Sequence, residues 1–176
     1  MKNKLRIGLD MDQVLDDFMG PYLKRFGIPK KPTDITKNVQ QILSKDREFW
    51  LSLPVINTLD FIPELYCSKR VNPKAWSKKW LLDNGFPNRP LYQMLYQKGN
   101  KATMIKGRVD VFIDDSVENF IQMNMSGVPC LLLDTPYNQD AGPELKIYSL
   151  DLEEIKFAYN LANELGIFTN FKQYFK

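Results

Sequence analysis

The sequence contains no histidine. That absence removes serine–histidine triads and histidine-ligated zinc sites, so proton transfer must fall to carboxylates, lysines or tyrosines. Cysteine is scarce as well: Cys67 and Cys130 are the only two. Each sits in an apolar, strand-like run, where buried reduced thiols are expected and a disulfide is not. No apolar stretch is long enough to cross a bilayer, and Met1-Lys2-Asn3-Lys4 opens no signal-peptide pattern. A cytoplasmic protein with no membrane partner is the expectation. A large excess of one charge is also lacking. Lys and Arg number 24 against 21 Asp and Glu, a net of +3, which does not call for a broad nucleic-acid-binding face, although a local basic pocket is compatible with it. Internal repeats and low-complexity tracts are absent.

What remains is 176 residues, 44% hydrophobic and 26% charged. That is ordinary for a soluble domain with one substantial core and at most a small appendage. The organising stretch runs from Leu5 to Phe18, Leu-Arg-Ile-Gly-Leu-Asp-Met-Asp-Gln-Val-Leu-Asp-Asp-Phe. Leu5, Ile7 and Leu9 alternate with Arg6 and Gly8 as in a strand, which then runs into carboxylates. At the carboxyl end of a parallel strand, where open α/β folds place their ligands, Asp10 and Asp12 would face the same way. That geometry suits a nucleophile and a general acid/base sharing one phosphoryl group.

Val109-Asp110-Val111-Phe112-Ile113-Asp114-Asp115-Ser116 repeats the design, an apolar strand ending in paired acids. Four bare carboxylates at two strand tips would repel one another, and a hard divalent cation such as Mg²⁺ would relieve that repulsion. The competing account is helix capping, to which Asp and Ser are both suited. It serves Asp115-Ser116 alone better than it serves both pairs, because Asp is excluded from buried strand ends unless paired or metal-bound. A calcium-binding loop starting at Asp10 does not fit. Val14 and Leu15 stand where an oxygen ligand and a Gly belong, and Pro21 stands where the bidentate Glu belongs.

The remaining elements follow in order. Periodicity predicts a helix over 14–26, ended by Gly27 and Pro29. A helical stretch over 35–43 with a cap at Asp34 comes next, then a short helix from Asp46 through Leu51. No strand is evident between 28 and 57, which argues for a helical insertion between the first and second core strands. Phe18, Phe49 and Trp50 are either core filling or an aromatic cage for a flat substrate such as a nucleobase, where stacking contributes roughly 1–3 kcal/mol per base. A short helix is expected over 59–62 and a strand over 64–67, the latter ending in Ser68-Lys69-Arg70. That tripeptide is either a plain loop or a phosphate contact, the hydroxyl donating and the cations neutralising. A helix after Asn72-Pro73, a strand over 90–94 and a helix over 102–105 precede the second acidic strand. Lys101, at the start of the 102–105 helix, is favoured over Lys106 to aim its ammonium at the strand tips. A helix over 116–125, an apolar strand over 128–133, the polar loop 134–138, a helix over 151–165 and an aromatic tail over 168–175 complete the chain. Strands alternating with helices predict a parallel α/β sheet.

With these residues collected, the chain resembles the haloacid dehalogenase (HAD) superfamily of phosphohydrolases. Asp10-Met11-Asp12 matches the nucleophile motif, Ser68 the hydroxyl motif, Lys101 the lysine motif and Asp114-Asp115 the acidic motif, in the family order and across 5–138. Within it, the segments 10–18 and Phe49-Trp50-Leu51-Ser52-Leu53-Pro54 are similar to the 5′(3′)-deoxyribonucleotidase group. Two departures are Gln13, where family members commonly have Gly, and Lys69-Arg70 after the hydroxyl motif. The resemblance implies a three-layer Rossmann-like core, residues 1–17 and 55–176, with a small helical cap over 18–54. It implies that Asp10 attacks phosphorus, that Asp12 acts as acid and then base, and that Ser68 and Lys101 offset charge on the phosphoryl oxygens. Mg²⁺ would be held by Asp10, Asp114 and the main-chain oxygen of Asp12, with Asp115 in support. Phe18, Phe49, Trp50, Lys69 and Arg70 would contact the substrate, a small phosphomonoester and foremost a nucleoside monophosphate; a homodimer is compatible. Three alternatives stay open: a phosphatase of nucleic-acid 3′ ends, a small-metabolite phosphatase, and a non-catalytic nucleotide-binding module.

Overall fold

The computed structural model describes residues 4–95, 99–140, 142 and 145–174. At its centre lies β1 (Ile7–Leu9), all three residues buried. Its glycine is required by close approach: a Cβ on Gly8 would stand 2.7 Å from Cδ2 of Phe112. Phe112 lies on β4 (Val111–Asp114), which pairs in parallel with β1 so that Leu9 faces Ile113. On the other side β1 pairs with β2 (Leu65–Lys69), and β2 with β3 (Leu91–Met94). Beyond β4 lie β5 (Cys130–Leu133) and a two-residue β6 (Lys146–Ile147) that the apolar pattern was too short to announce. Among the described residues the sheet has six strands in the order β3-β2-β1-β4-β5-β6, every pairing parallel. The chain moves outward from β1 to β3, then returns to the other side of β1. The carboxyl ends of β1 and β4 thus flank the point where strand order reverses, which is where such sheets open a crevice.

The helices flanking the sheet are α4 (Lys74–Asp83), α5 (Ala102–Ile105), α6 (Val117–Met125) and α7 (Leu152–Glu164). Asp151 caps α7 by accepting from the amides of Glu153 and Glu154, and Ser116 caps α6. The tail forms α8 (Phe171–Tyr174) and packs back: Phe171 meets Phe120 edge-on at 5.5 Å. Phe175, named in the expected tail, lies outside the described residues. Cys67 and Cys130 are buried free thiols, and burial pushes the first up to about 12. No described helix is long and apolar enough to cross a membrane.

Between β1 and β2 the chain is helical, with α1 (Met19–Phe26), α2 (Pro32–Gln41), a 3₁₀ turn at Leu43–Lys45 and α3 (Arg47–Leu51). Two expectations are corrected in this stretch and just after it. Helix α1 begins at Met19, not Val14, because the residues following Asp12 turn tightly instead. The Met11 carbonyl accepts from the amides of Val14, Leu15 and Asp16, and Gln13 adopts φ 59°. The helical spacing of Leu15 and Phe18 is coincidental; Val14 and Leu15 are buried by the turn, not by a helix face. No helix forms over 59–62, an extended run with a bend. The turn is stitched to the segment returning from the helices: Asp17 N–H donates to the Pro54 carbonyl and Ile56 N–H to that of Leu15, each at 2.9 Å. Entry and exit of the helical insertion are therefore fastened side by side above β1. A parallel sheet flanked by helices, with a helical segment inserted after its first strand, matches a Rossmann-like core of the HAD type.

Candidate active site

Asp10 follows β1 directly, and its amide donates to the Ile113 carbonyl at 2.9 Å, one step from the end of β4. Strand pairing itself therefore brings Asp10 and Asp114 together. Between them lies the ammonium of Lys101, 2.7 Å from Oδ2 of each. Lys101 occupies the position before α5, and Asn100 fixes that turn by accepting from the Ala102 amide and donating to Ser126 Oγ. Lys106 is elsewhere: its exposed ammonium donates to the Ser126 carbonyl. Carboxylate oxygens of Asp10, Asp114 and Asp115 lie within 4.8 Å of one another.

The electrostatics of this cluster are severe. Burial pushes the Asp10 carboxyl up to about 7; Lys101 opposes the rise and Asp114 and Asp12 reinforce it. Burial likewise drives Asp115 well above the carboxylate range, with Asp114 and Asp10 adding to it. For Lys101, burial works against the charge, but Asp10 and Asp114 outweigh it and raise the ammonium above its ordinary value. One cation thus sits among three acids. Oδ1 of Asp10 is buried with no hydrogen-bond partner among the described residues, an expensive state for a carboxylate oxygen. A hard divalent cation with oxygen ligands fits this cluster: Asp10, Asp114 and Asp115 could hold it, and it would satisfy the orphaned oxygen.

Asp12 takes a different partner. Its Oδ1 accepts from Nε and Nη2 of Arg70 at 3.0 and 2.6 Å, and the same Nη2 reaches Oδ2 of Asp16. Arg70 and Asp16 have wholly buried side chains, whereas that of Asp12 keeps 26% of its surface exposed. The Asp12 carboxylate therefore faces the cleft while being held from behind. The side-chain cluster of Asp10, Asp114 and Asp115 does not include it; the resemblance assigned its main-chain oxygen to the ion.

Two cavities adjoin at these acids. A polar one of about 520 Å³ is lined by Asp10, Asp12, Lys69, Lys101, Asp115 and Asn119, with Thr33 and Thr36 of α2 on its far side. An apolar one of about 250 Å³ is lined by Phe18, Met19, Ile35, Val39, Trp50 and Tyr137, and it shares Asp12, Lys69 and Asp115 with the first. Phe18 stacks on Trp50 with centroids 5.7 Å apart, and the Trp50 indole is fixed by donating to the Leu43 carbonyl at 2.7 Å. Phe49 packs edge-on behind both rings and lines neither cavity. Asp46 sets this corner by capping α3 through the Phe49 amide.

Lys69, at the end of β2, donates to Asn119 Oδ1 at 2.6 Å, and Asn119 donates onward to Asp114 Oδ1 at 3.1 Å. Burial and the charge of Lys101 hold the Lys69 ammonium below its ordinary value. Ser68 is buried in β2 with its hydroxyl unpartnered among the described residues, and neither Ser68 nor Arg70 lines either cavity. The structure thus brings Asp10, Asp12, Lys69, Lys101 and Asp115 to one cleft beside Phe18 and Trp50, buries Asp114 against Lys101 next to it, and leaves Ser68, Arg70 and Phe49 behind its walls. Sequence reasoning missed Asn119, Asp16, Thr33, Thr36 and Tyr137. Asn119 had a signal, since it lies one helical turn past Asp115, and so did Tyr137, in the polar loop 134–138 expected at the same sheet edge; the others had none in local spacing. Searches with protein-family models and against curated proteins find no match to this chain. The parallel sheet with its inserted helices and the converging Asp10, Asp114 and Asp115 are nonetheless consistent with a HAD-like Rossmannoid core carrying a HAD-type acidic site.

Proposed function

We propose that the protein is a Mg²⁺-dependent phosphomonoester hydrolase acting on nucleoside monophosphates, in the manner of 5′(3′)-deoxyribonucleotidases, with residues 18–54 as its cap. The observation that carries this reading is the orphaned Oδ1 of Asp10, buried among acids beside a polar cavity that Asp10 lines and that adjoins an apolar one. Pocket volumes for small organic ligands run from about 300 to 1,000 Å³. An apolar space of about 250 Å³ beside a polar one of about 520 Å³ suits a flat ring joined to a charged head better than a purely polar sugar phosphate.

Bound Mg²⁺ would neutralise the acids and the phosphoryl oxygens. The chain's own residues account for the rest. Asp10 attacks phosphorus to form an aspartyl-phosphate, while Asp12 gives its proton to the departing alkoxide oxygen. Asp12, now a carboxylate, takes a proton from water as the water oxygen bonds to phosphorus and the bond to Asp10 breaks, releasing inorganic phosphate. Lys101 stabilises charge building on the phosphoryl oxygens, and Lys69, shared by both cavities, neutralises the phosphate as it enters. Phe18 and Trp50, stacked on each other, form one wall of the pocket for the base.

Phosphate release in the presence of Mg²⁺, compared across nucleoside monophosphates, sugar phosphates and a 3′-phosphorylated oligonucleotide, tests the proposal. Preferential turnover of the mononucleotides is expected. Turnover of the oligonucleotide alone would overturn the substrate assignment, and no release from any ester would overturn the hydrolase.

A further inference from the structure

The buried Arg70 has no counterpart in the reaction just described, and its surroundings are unusual. Its guanidinium is wholly buried, touches two carboxylates and lies 5.2 Å from the centroid of the Trp50 ring. Among the described residues, Nη1 of Arg70 and Oδ1 of Asp16 have no hydrogen-bond partner. Burial opposes the charge on Arg70, yet Asp12 and Asp16 hold it firmly protonated. A buried ion network with unsatisfied members is poor support for a fold, since desolvation can exceed the Coulombic gain. What the arrangement does supply is orientation. Nε and Nη2 both donate to the same oxygen of Asp12, the same Nη2 also donates to Asp16, and the guanidinium lies over the Trp50 ring. Both hydrogen bonds to Asp12 go to its Oδ1, and the Asp12 side chain, 26% exposed, lines the cleft.

We propose, on the hydrolase reading above, that Arg70 is a positioning residue: with Asp16 as its counter-ion it holds the Asp12 carboxyl group where its free oxygen meets the leaving-group oxygen. Arg70 itself does not touch substrate. The role therefore differs from phosphate binding by Ser68-Lys69-Arg70, the expectation raised by the tripeptide. It also accounts for the tight turn after Asp12, which brings Asp16 back beside it: the main chain bridges Asp12 to Asp16 and Asp16 to Val55.

Leaving-group dependence separates positioning from binding or bulk stability. A nucleoside 5′-monophosphate departs as an alkoxide that needs the Asp12 proton; p-nitrophenyl phosphate departs as a stabilised phenolate that needs it little. The ratio kcat/KM reports only the steps through the first loss of leaving group, so water activation does not obscure the comparison. Arg70→Lys keeps the charge but cannot donate twice in one plane. The expected result is a fall of about 100-fold in kcat/KM for the nucleotide, the scale of an ångström's misplacement of a catalytic group. For p-nitrophenyl phosphate a fall of no more than about 3-fold is expected, because general-acid assistance contributes little there. Equal falls for both esters, or no fall for either, would overturn the proposal. A rise in KM alone for both would return Arg70 to substrate binding. A crystal structure of the same variant reads the claim without turnover: the Asp12 carboxylate is expected to leave its position, and an unmoved carboxylate would overturn it. Should Arg70→Lys not fold, the charge-neutral Asp16→Asn/Arg70→Gln variant takes its place in both measurements. A wild-type protein that hydrolyses neither ester sinks the hydrolase, while the crystallographic comparison still decides the positioning.

Discussion

Strands β1 and β4 carry an arginine–carboxylate or lysine–carboxylate contact at each end, and the two ends are built differently. At the amino end Arg6 meets Asp110 at 2.7 Å, with 45% and 29% of their side chains exposed. The geometry is generous: Nε, Nη2 and the Arg6 amide all donate to the one carboxylate. At the carboxyl end Lys101 meets Asp10 and Asp114 with almost no exposure, and Asp115 beside them forms no ion pair of its own among the described residues. The exposed pair is a staple that water would half replace. The buried set is under-neutralised and incompletely bonded, an arrangement that costs stability and is retained where a site needs it. One pair of strands thus has a structural end and a chemical end.

The largest effect expected at the chemical end is on turnover. Asp10→Asn removes the attacking oxygen and should lower kcat on the order of 10⁵-fold, the scale seen when a covalent nucleophile is deleted. Because it also removes one of several crowded charges, its thermal midpoint should stay close to that of the parent. Near-parental activity would end the covalent mechanism. Next comes Lys101→Met, which leaves Asp10 and Asp114 buried without their cation and should cost about 3–5 kcal/mol in chemical denaturation. Lys106→Ala on the same stretch should cost almost nothing, and equal losses would erase the distinction between the two lysines.

A smaller loss is expected at the wall of the apolar cavity. Asp46→Ala removes the cap of α3 and should cost about 1 kcal/mol. If α3 shapes the cavity, KM for the nucleotide should rise while kcat is kept. The smallest effect belongs to the structural end. Arg6→Ala should cost only about 0.2–1 kcal/mol, and less in high salt. Its pH dependence has a definite sign. Burial alone would raise Asp110, but the side-chain and amide hydrogen bonds of Arg6 outweigh it and hold the carboxyl below its ordinary 3.8. A carboxyl depressed on folding contributes stability that is full above the unfolded value and is lost as pH falls through the folded one. The difference between Arg6→Ala and the parent should therefore be constant at neutral pH and shrink below about pH 4. A difference that grows in acid would reverse this reading.

Where chemistry sits on the chain immediately after a strand, the sequence was legible. Asp10 and Asp114-Asp115 follow apolar runs whose composition excludes an exposed face, so their arrival at one sheet edge followed from parallel pairing alone. The α6 and α7 boundaries were readable because Ser116 and Asp151 cap by local rules. Helix α1 was misread because Leu15 and Phe18 have helical spacing, while the turn at Gln13 is imposed by contacts with 54–57, far along the chain. Nor could local spacing join Arg70 to Asp12 and Asp16, since their separations of 58 and 54 residues carry no period.

By itself, then, the sequence determined a parallel α/β sheet, an inserted helical segment, and two acidic strand tips destined for one edge, because each of these follows from local patterning and the directionality of strands. The place of Lys101 at a helix start already favoured it over Lys106; tertiary structure alone decided which arginine holds Asp12 and that the aromatic residues divide between a cavity wall and its backing. Those outcomes depend on where side chains from distant segments meet in a space closed to water, where a few tenths of an ångström and the loss of solvent set both partner and charge.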